Sequence, residues 1–174
     1  MSGSGGIFYY DHVTIPPWTY LLTATDQGLS YVGLKDDSRA PILSFYPGKM
    51  LVHDSQRLAP YIRELKEYFA GKRRHFDLDL DISEFGTPFQ RSVLEVATRI
   101  PYGQTVSYGD IANSLDNARS VRAVSHAITL NPALLFIPTH RIIMADRKIG
   151  AYRLGAREKK RLIDFEKGNL HGNS

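Results

Sequence analysis

The spacing of apolar residues changes along this chain, and the change limits the fold to a strand-rich part followed by a helical one. From residue 7 to about 50 the apolar residues come in short β-branched and aromatic runs: Ile7-Phe8-Tyr9-Tyr10, Trp18-Thr19-Tyr20-Leu21-Leu22 and Leu29-Ser30-Tyr31-Val32-Gly33-Leu34. Gly, Asp and Pro separate the runs, which predicts strands joined by turns. From Ser55 to Ala70 the rhythm is helical, with Leu58, Ile62, Leu65 and Phe69 on one face and Gly71 as C-terminal cap. Lys72-Arg73-Arg74 then meets the negative end of that helix. The alternating Phe76-Asp77-Leu78-Asp79-Leu80-Asp81-Ile82 reads as a half-buried strand or an extended linker.

A second helical part opens at Thr87-Pro88-Phe89-Gln90, which puts Thr at N-cap, Pro at N1 and Gln at N3 of a capping box. Apolar residues 89, 93, 96, 97 and 100 follow, up to Pro101-Tyr102-Gly103. A shorter helix is expected from about Ser107 to Ser114, with Asp110 completing a cap on Ser107, then a turn at Leu115-Asp116-Asn117. Another helix is expected from Ser120 to Leu130, stopped by Asn131-Pro132. Two short helices joined by a tight turn resemble a helix-turn-helix, a pairing that many helical proteins also contain.

Composition restricts the function classes. At 174 residues with 43% hydrophobic content, the chain can build one large or two small cores. No apolar run approaches the roughly 18 residues of a membrane helix, and the N-terminus has no charged-then-apolar leader pattern, so a soluble, cytoplasmic protein is expected. Met1-Ser2-Gly3-Ser4-Gly5-Gly6 reads as a flexible tail. The absence of cysteine excludes disulfides, thiolate zinc sites and thiol redox chemistry. The six histidines contain no i, i+4 pair, so neither a metal site nor a cofactor is expected. Residues 1–86 carry 9 basic and 11 acidic side chains, net −2, whereas residues 87–174 carry 13 and 7, net +6. A basic second half suits an anionic partner, nucleic acid first, or is a solvated basic surface.

From Gly86 to Glu166 a series of motifs resembles the C-terminal domain of the O6-alkylguanine-DNA alkyltransferase family. They are Gly86-Thr87-Pro88-Phe89-Gln90, Ile100-Pro101-Tyr102-Gly103, Ser107-Tyr108, Val121-Arg122-Ala123-Val124, Asn131-Pro132, Ile137-Pro138-Thr139-His140-Arg141-Ile142, Gly150-Ala151-Tyr152 and Asp164-Phe165-Glu166. Tyr68-Phe69-Ala70-Gly71 resembles a helix end of the family's small β-rich N-terminal domain. The resemblance implies an α/β (α+β) fold: a tail at 1–6, a β-rich domain at 7–82, and a helical domain at 83–170 with a helix-turn-helix at 107–130.

It also implies roles. The family's reactive run reads Pro-Cys-His-Arg, so Thr139 stands at the alkyl-acceptor position, where the nucleophile is lost. His140 matches the histidine that takes the thiol proton through a water, and Glu166 the carboxylate that orients it. A threonine hydroxyl is a far weaker acid than a thiol, so transfer to Thr139 is not expected. Tyr108 matches the tyrosine that crowds the target phosphate and promotes rotation of the nucleotide out of the helix. Arg122 matches the finger that fills the vacated gap. Close approach in the minor groove needs small side chains, which Ala123 and Ala127 supply. Ser125 and His126 depart from the pattern, since the family has glycine at the first of these. The lesion pocket would be formed by Ile128, Asn131, Ile142, Tyr152, Arg153 and Leu154. Asn131 matches the residue that braces the turn after the recognition helix, and Tyr152 the one that hydrogen-bonds the flipped guanine. Leu154 stands where many members have glycine. Arg147 and Lys148 replace a small polar turn and are candidate phosphate contacts.

Three functions follow. The first is an alkyltransferase-like damage-binding protein, monomeric, cytoplasmic and nucleoid-associated when bound. It would bind duplex DNA containing O6-alkylguanine, hold the lesion without transfer and act with other repair proteins. The second is a direct-reversal methyltransferase carrying a Cys-to-Thr substitution at position 139. The third is a DNA-binding module without lesion recognition.

Overall fold

A computed structural model describes residues 6–36, 42–115 and 121–172. The expected tail before Gly6, the end of the turn at Asp116-Asn117 and the start of the next helix at Ser120 lie outside the described residues. The chain forms two compact units: residues up to Gly86 together with Pro132–Leu134, and Thr87–Asn131 together with Leu135 onward.

The first unit is a four-stranded sheet in the order β3-β2-β1-β4. Its strands are β1 (Ile7–Ile15), β2 (Trp18–Ala24), β3 (Leu29–Leu34) and β4 (Met50–His53). β1 and β2 form an antiparallel hairpin, β3 continues it, and β4 runs parallel to β1. Tyr20 to Val32 supply much of the core, because every described residue of β2 from Tyr20 onward and all but the last of β3 are buried. Two buried hydroxyls in these strands, Thr23 Oγ1 and Ser30 Oγ, satisfy each other at 2.7 Å. A one-turn helix, α1 (Ile42–Phe45), precedes β4. α2 (Ser55–Phe69) is capped by the Asp54 side chain and packs Leu58, Leu65 and Tyr68 inward. Gly71 at φ 77 ends it in the left-handed conformation that glycine tolerates. Arg73 does not serve the helix end; it binds the buried Glu64 at 3.1 Å, with Glu67 and Asp77 alongside. The alternating segment at 76–82 is extended, but only Leu80 forms a bridge, to Leu29. Asp77 and Asp79 face water, while the Asp81 carboxylate accepts from the Thr25 hydroxyl at 2.6 Å and from Ser83. Val32 likewise pairs with Ala133 of the Pro132–Leu134 segment.

The second unit is helical. α3 (Pro88–Ala97) and α4 (Tyr108–Asn113) both begin with reciprocal capping boxes, Thr87 with Gln90 and Ser107 with Asp110. α3 ends at Ala97 rather than at Pro101, because Thr98 to Ile100 tighten into single turns bonded to Leu94, Glu95, Val96 and Ala97. α5 (Val121–Thr129) packs Val124, Ala127 and Ile128 inward, and α6 (Ala156–Gly172) closes the unit with Leu162 and Ile163. A two-residue strand, β5 (Val106–Ser107), pairs in parallel with β6 (Ile142–Ile143). That pairing ties the start of α4 to the single 3-10 turn Thr139–Arg141. Leu135 enters this stretch at φ 75, an unusual value for a side chain of its kind.

Thr87→Ala removes the acceptor for the Gln90 amide at 3.1 Å. It is expected to destabilise the second unit by about 1 kcal/mol, seen as a lower denaturant midpoint at unchanged slope.

Candidate functional site

The run 139–141 is buried despite being polar. Thr139, His140 and Arg141 expose 0%, 0% and 6% of their surface, so every polar atom in them needs a partner. Glu166, reaching in from α6, supplies most of these. Its carboxylate accepts from Arg141 Nε at 2.8 Å and Nη2 at 2.9 Å, a two-pronged pair. It also accepts from His140 Nε2 at 2.6 Å and from the Gly103 amide at 3.0 Å. The remaining Arg141 fork, Nη1, donates to the Ile100 carbonyl at 2.6 Å.

Charges in this cluster are set by that geometry. Burial alone would raise the Glu166 carboxyl, but the hydrogen bonds and positive charge around it outweigh burial and hold it well below the ordinary carboxylate range. Burial pushes the His140 imidazole below its ordinary value, and the Glu166 contact only partly opposes this. Glu166 is therefore ionised against Arg141, and His140 is neutral with its proton on Nε2. Its other nitrogen, Nδ1, is then a lone-pair acceptor without a protein partner. The Thr139 hydroxyl is on the opposite tack: its oxygen accepts from Asn131 Nδ2 at 2.9 Å. The same amide donates to the Ile137 carbonyl at 2.8 Å, so Asn131 spans the chain from the end of α5 to position 139.

A second buried group adjoins the first. Tyr108 is 5% exposed, and its hydroxyl accepts from the Ala151 amide at 2.8 Å. A Cβ at Gly150, φ 76, would stand 2.2 Å from that hydroxyl, so a side chain there cannot coexist with Tyr108 in this place. Lys159, fully buried in the first turns of α6, donates to the Ala151 carbonyl at 2.9 Å and lies 3.5 Å from the Tyr108 hydroxyl. Burial lowers its ammonium to about 8. The Tyr152 ring stands edge-on to His140, centroids 6.5 Å apart.

The structure brings Thr139, His140, Glu166, Asn131, Ile142, Tyr152 and Tyr108 into one buried neighbourhood of the second unit. Two placements differ from the sequence reading. Tyr108, expected against the target phosphate, is buried, with its hydroxyl beside Ala151 and Lys159. Ala127 is fully buried with Ile128, because both lie three and four residues from Val124 on the inward face of α5. The outward face carries Arg122 and His126, exposed, with Ala123 and Ser125 partly so. Ala123 and His126 border a groove of about 750 Å³ shared with Thr87, Pro88, Phe89 and Gln90 at the start of α3. Arg153 and Leu154 are buried, and Arg153 Nη1 donates to the Asn131 carbonyl at 2.5 Å. Arg147, at φ 68, and Lys148 sit on an exposed turn. Arg141 and Lys159 were not singled out from sequence, although Lys159 shares the apolar helix face of Ile163 and Glu166, where a charge signals a buried partner.

Glu166→Gln leaves the Arg141 guanidinium buried without its counter-charge. It is expected to cost about 3–5 kcal/mol in equilibrium unfolding. Lys159 gives a pH dependence. Its folded pKa of about 8 lies below the unfolded value of 10.5, so the unfolded chain holds the proton more firmly. Stability should rise with pH between those values, by at most about 1.4 kcal/mol per pH unit from this group. Lys159→Met should remove that rise when denaturant midpoints are compared across the interval.

Comparisons with known proteins agree with this layout. Residues 88–168 match the 6-O-methylguanine DNA methyltransferase DNA binding domain, and residues 8–82 the ribonuclease-like domain of the same family. The inducible methylated-DNA–protein-cysteine methyltransferase of Bacillus subtilis is 36% identical over 163 residues, covering 91% of this chain and 90% of that protein. The Methanosarcina barkeri methylated-DNA–protein-cysteine methyltransferase is also 36% identical, over 93% of this chain and 99% of its own. The crystal structure of Mycobacterium tuberculosis O6-methylguanine methyltransferase superposes with a TM-score of 0.81 at 30% identity, covering 93% of this chain and 94% of that one. The structure of that organism's protein in complex with DNA gives 0.80 at 30% identity, over 92% and 94%. This chain belongs to the 6-O-methylguanine DNA methyltransferase family, a DNA-binding repair family, as a member with threonine at the acceptor position and no cysteine anywhere in its sequence.

Proposed function

We propose that this protein binds duplex DNA through the outward face of α5, takes an O6-alkylguanine out of the base stack and retains it without removing the alkyl group. The observation that carries this reading is the site itself. The acceptor position holds a buried hydroxyl bonded to Asn131, while beside it Glu166 stays hydrogen-bonded to both His140 and Arg141. Alkyl transfer by displacement needs an anionic or strongly activated nucleophile, and a neutral imidazole cannot generate an alkoxide as it can a thiolate. Arg122 is exposed on α5 and would fill the gap in the stack, and Ala123 and Ser125 are small enough for approach in the narrow minor groove. Retained lesions would mark damage for other repair proteins, with the chain acting as a cytoplasmic monomer.

The persistence of those bonds favours one second reading, a direct-reversal enzyme in which Thr139 replaces the acceptor cysteine. Thr139→Cys distinguishes the two. On the proposed reading the wild type binds a duplex with one O6-methylguanine more tightly than the unmodified duplex and shows no mass change on incubation with it. The cysteine variant then gains one methyl group slowly, because Leu154 and Ser125 have diverged with the loss. Rapid, stoichiometric methylation of the variant supports the replaced-acceptor reading. A methyl adduct on Thr139 in the wild type, or equal affinity for both duplexes, sinks the proposal.

A further inference from the structure

Tyr108 opens α4, yet its hydroxyl reaches a part of the chain distant in sequence. It accepts from the Ala151 amide at 2.8 Å, and the Ala151 carbonyl accepts from Lys159 at 2.9 Å, so both backbone groups of Ala151 are held. Ring packing alone would be served by phenylalanine; a hydroxyl on a residue 5% exposed is tolerable for the bond it makes. Gly150 leaves the room. At φ 76 it takes a conformation that suits glycine, and a Cβ there would overlap the Tyr108 hydroxyl and stand 3.2 Å from Met144. Next after Ala151 comes Tyr152, 6% exposed, whose ring meets His140 edge-on. Adjacent Cα atoms are held about 3.8 Å apart, so a shift at Ala151 moves the Tyr152 ring relative to His140. Tyr108 is anchored in turn: Ser107, just before it, pairs with Ile143 in the β5–β6 ladder, and β6 follows directly on the Thr139–Arg141 turn.

We infer that Tyr108 is a positioning residue of the lesion pocket: its hydroxyl holds the Ala151 backbone, and through it sets the Tyr152 ring beside His140 before DNA arrives. The inference rests on the lesion-binding reading proposed above. The hydroxyl then acts within the protein, a task separate from the phosphate contact that the family resemblance implies for this tyrosine. A pocket wall fixed in advance raises affinity for the lesion and not for unmodified duplex, because the segment need not be ordered when the lesion enters.

The test compares wild type, Tyr108→Phe, Gly150→Ala and the double variant by two readouts. One is lesion preference, the ratio of Kd for an unmodified duplex to Kd for the same duplex with one O6-methylguanine. The other is the hydrogen-exchange protection of the Ala151 amide in the free protein, followed by NMR. Tyr108→Phe is expected to cut the preference about fivefold, the worth of one neutral hydrogen bond, and to lower Ala151 protection. Gly150→Ala should do the same, and the double variant should be no worse than Gly150→Ala alone, since the overlap goes with the hydroxyl. Tyr108→Phe alone decides the matter if Gly150→Ala fails to fold. An unchanged preference in Tyr108→Phe overturns the inference and leaves lesion binding standing, whatever happens to affinity for both duplexes together. A lowered preference with Ala151 protection intact assigns the hydroxyl to direct contact with DNA and overturns it too. Losses that multiply, to about 25-fold in the double variant, make the two residues independent and count equally against it. No lesion preference in the wild type removes the lesion reading and this inference together.

Discussion

The carboxylate of Glu166 is the point on which the second unit turns. It is 1% exposed, and four donors from two separate stretches of chain converge on it: the Gly103 amide, and His140 with two nitrogens of Arg141. An ionised carboxylate in that position is tolerable only because Arg141 neutralises it and every lone pair is used. The arrangement in turn fixes α6 against the 3-10 turn and the loop after α3. It also decides the protonation of His140, whose Nε2–H is committed to Glu166. Without Glu166, neither the tautomer of His140 nor the position of Arg141 is determined.

Such a network is costly to bury, and its survival beside Thr139 is informative for that reason. A protein that had lost all use for the site would gain stability by replacing Arg141, His140 and Glu166 with apolar residues of like volume. Instead the charges, the brace from Asn131 and the contact between Tyr108 and Ala151 persist together. Only the atom that would form a covalent bond is missing.

Much of this was legible in the sequence where the determinants are local. The starts of α3 and α4 follow from capping boxes four residues long, and α2 from its apolar spacing. α1 and β4 were not foreseen, because each is four residues long and depends on partners distant in sequence. Residues 76–82 alternate like a strand, yet only Leu80 finds a bridge, since pairing rather than alternation makes a strand. At the site, His140 and Glu166 were read from motif resemblance, while their separation of 26 positions in sequence hid their contact at 2.6 Å. Ala127 was misplaced because small size was weighed ahead of helical phase. Val124, Ala127 and Ile128 share the inward stripe, and that spacing was available from the sequence. Lys159 went unnoticed because a lysine on a charged helix is ordinarily solvated; its burial comes from the Gly150–Tyr152 segment folding over it.

Removing the acceptor changes what the remaining interactions accomplish. In a transfer enzyme, groups around the lesion contribute to rate only to the extent that they bind the transition state more strongly than the ground state. On the proposed reading there is no transition state to reach, so the same hydrogen bonds and charges act wholly on the bound lesion and lengthen its stay. Thr139 suits that role physically. Its hydroxyl satisfies the Asn131 amide that would otherwise be buried without an acceptor, and its methyl group fills space beside it. Alanine would leave that amide proton unmet. On the proposed reading, threonine at position 139 keeps the Asn131 amide paired without supplying a nucleophile.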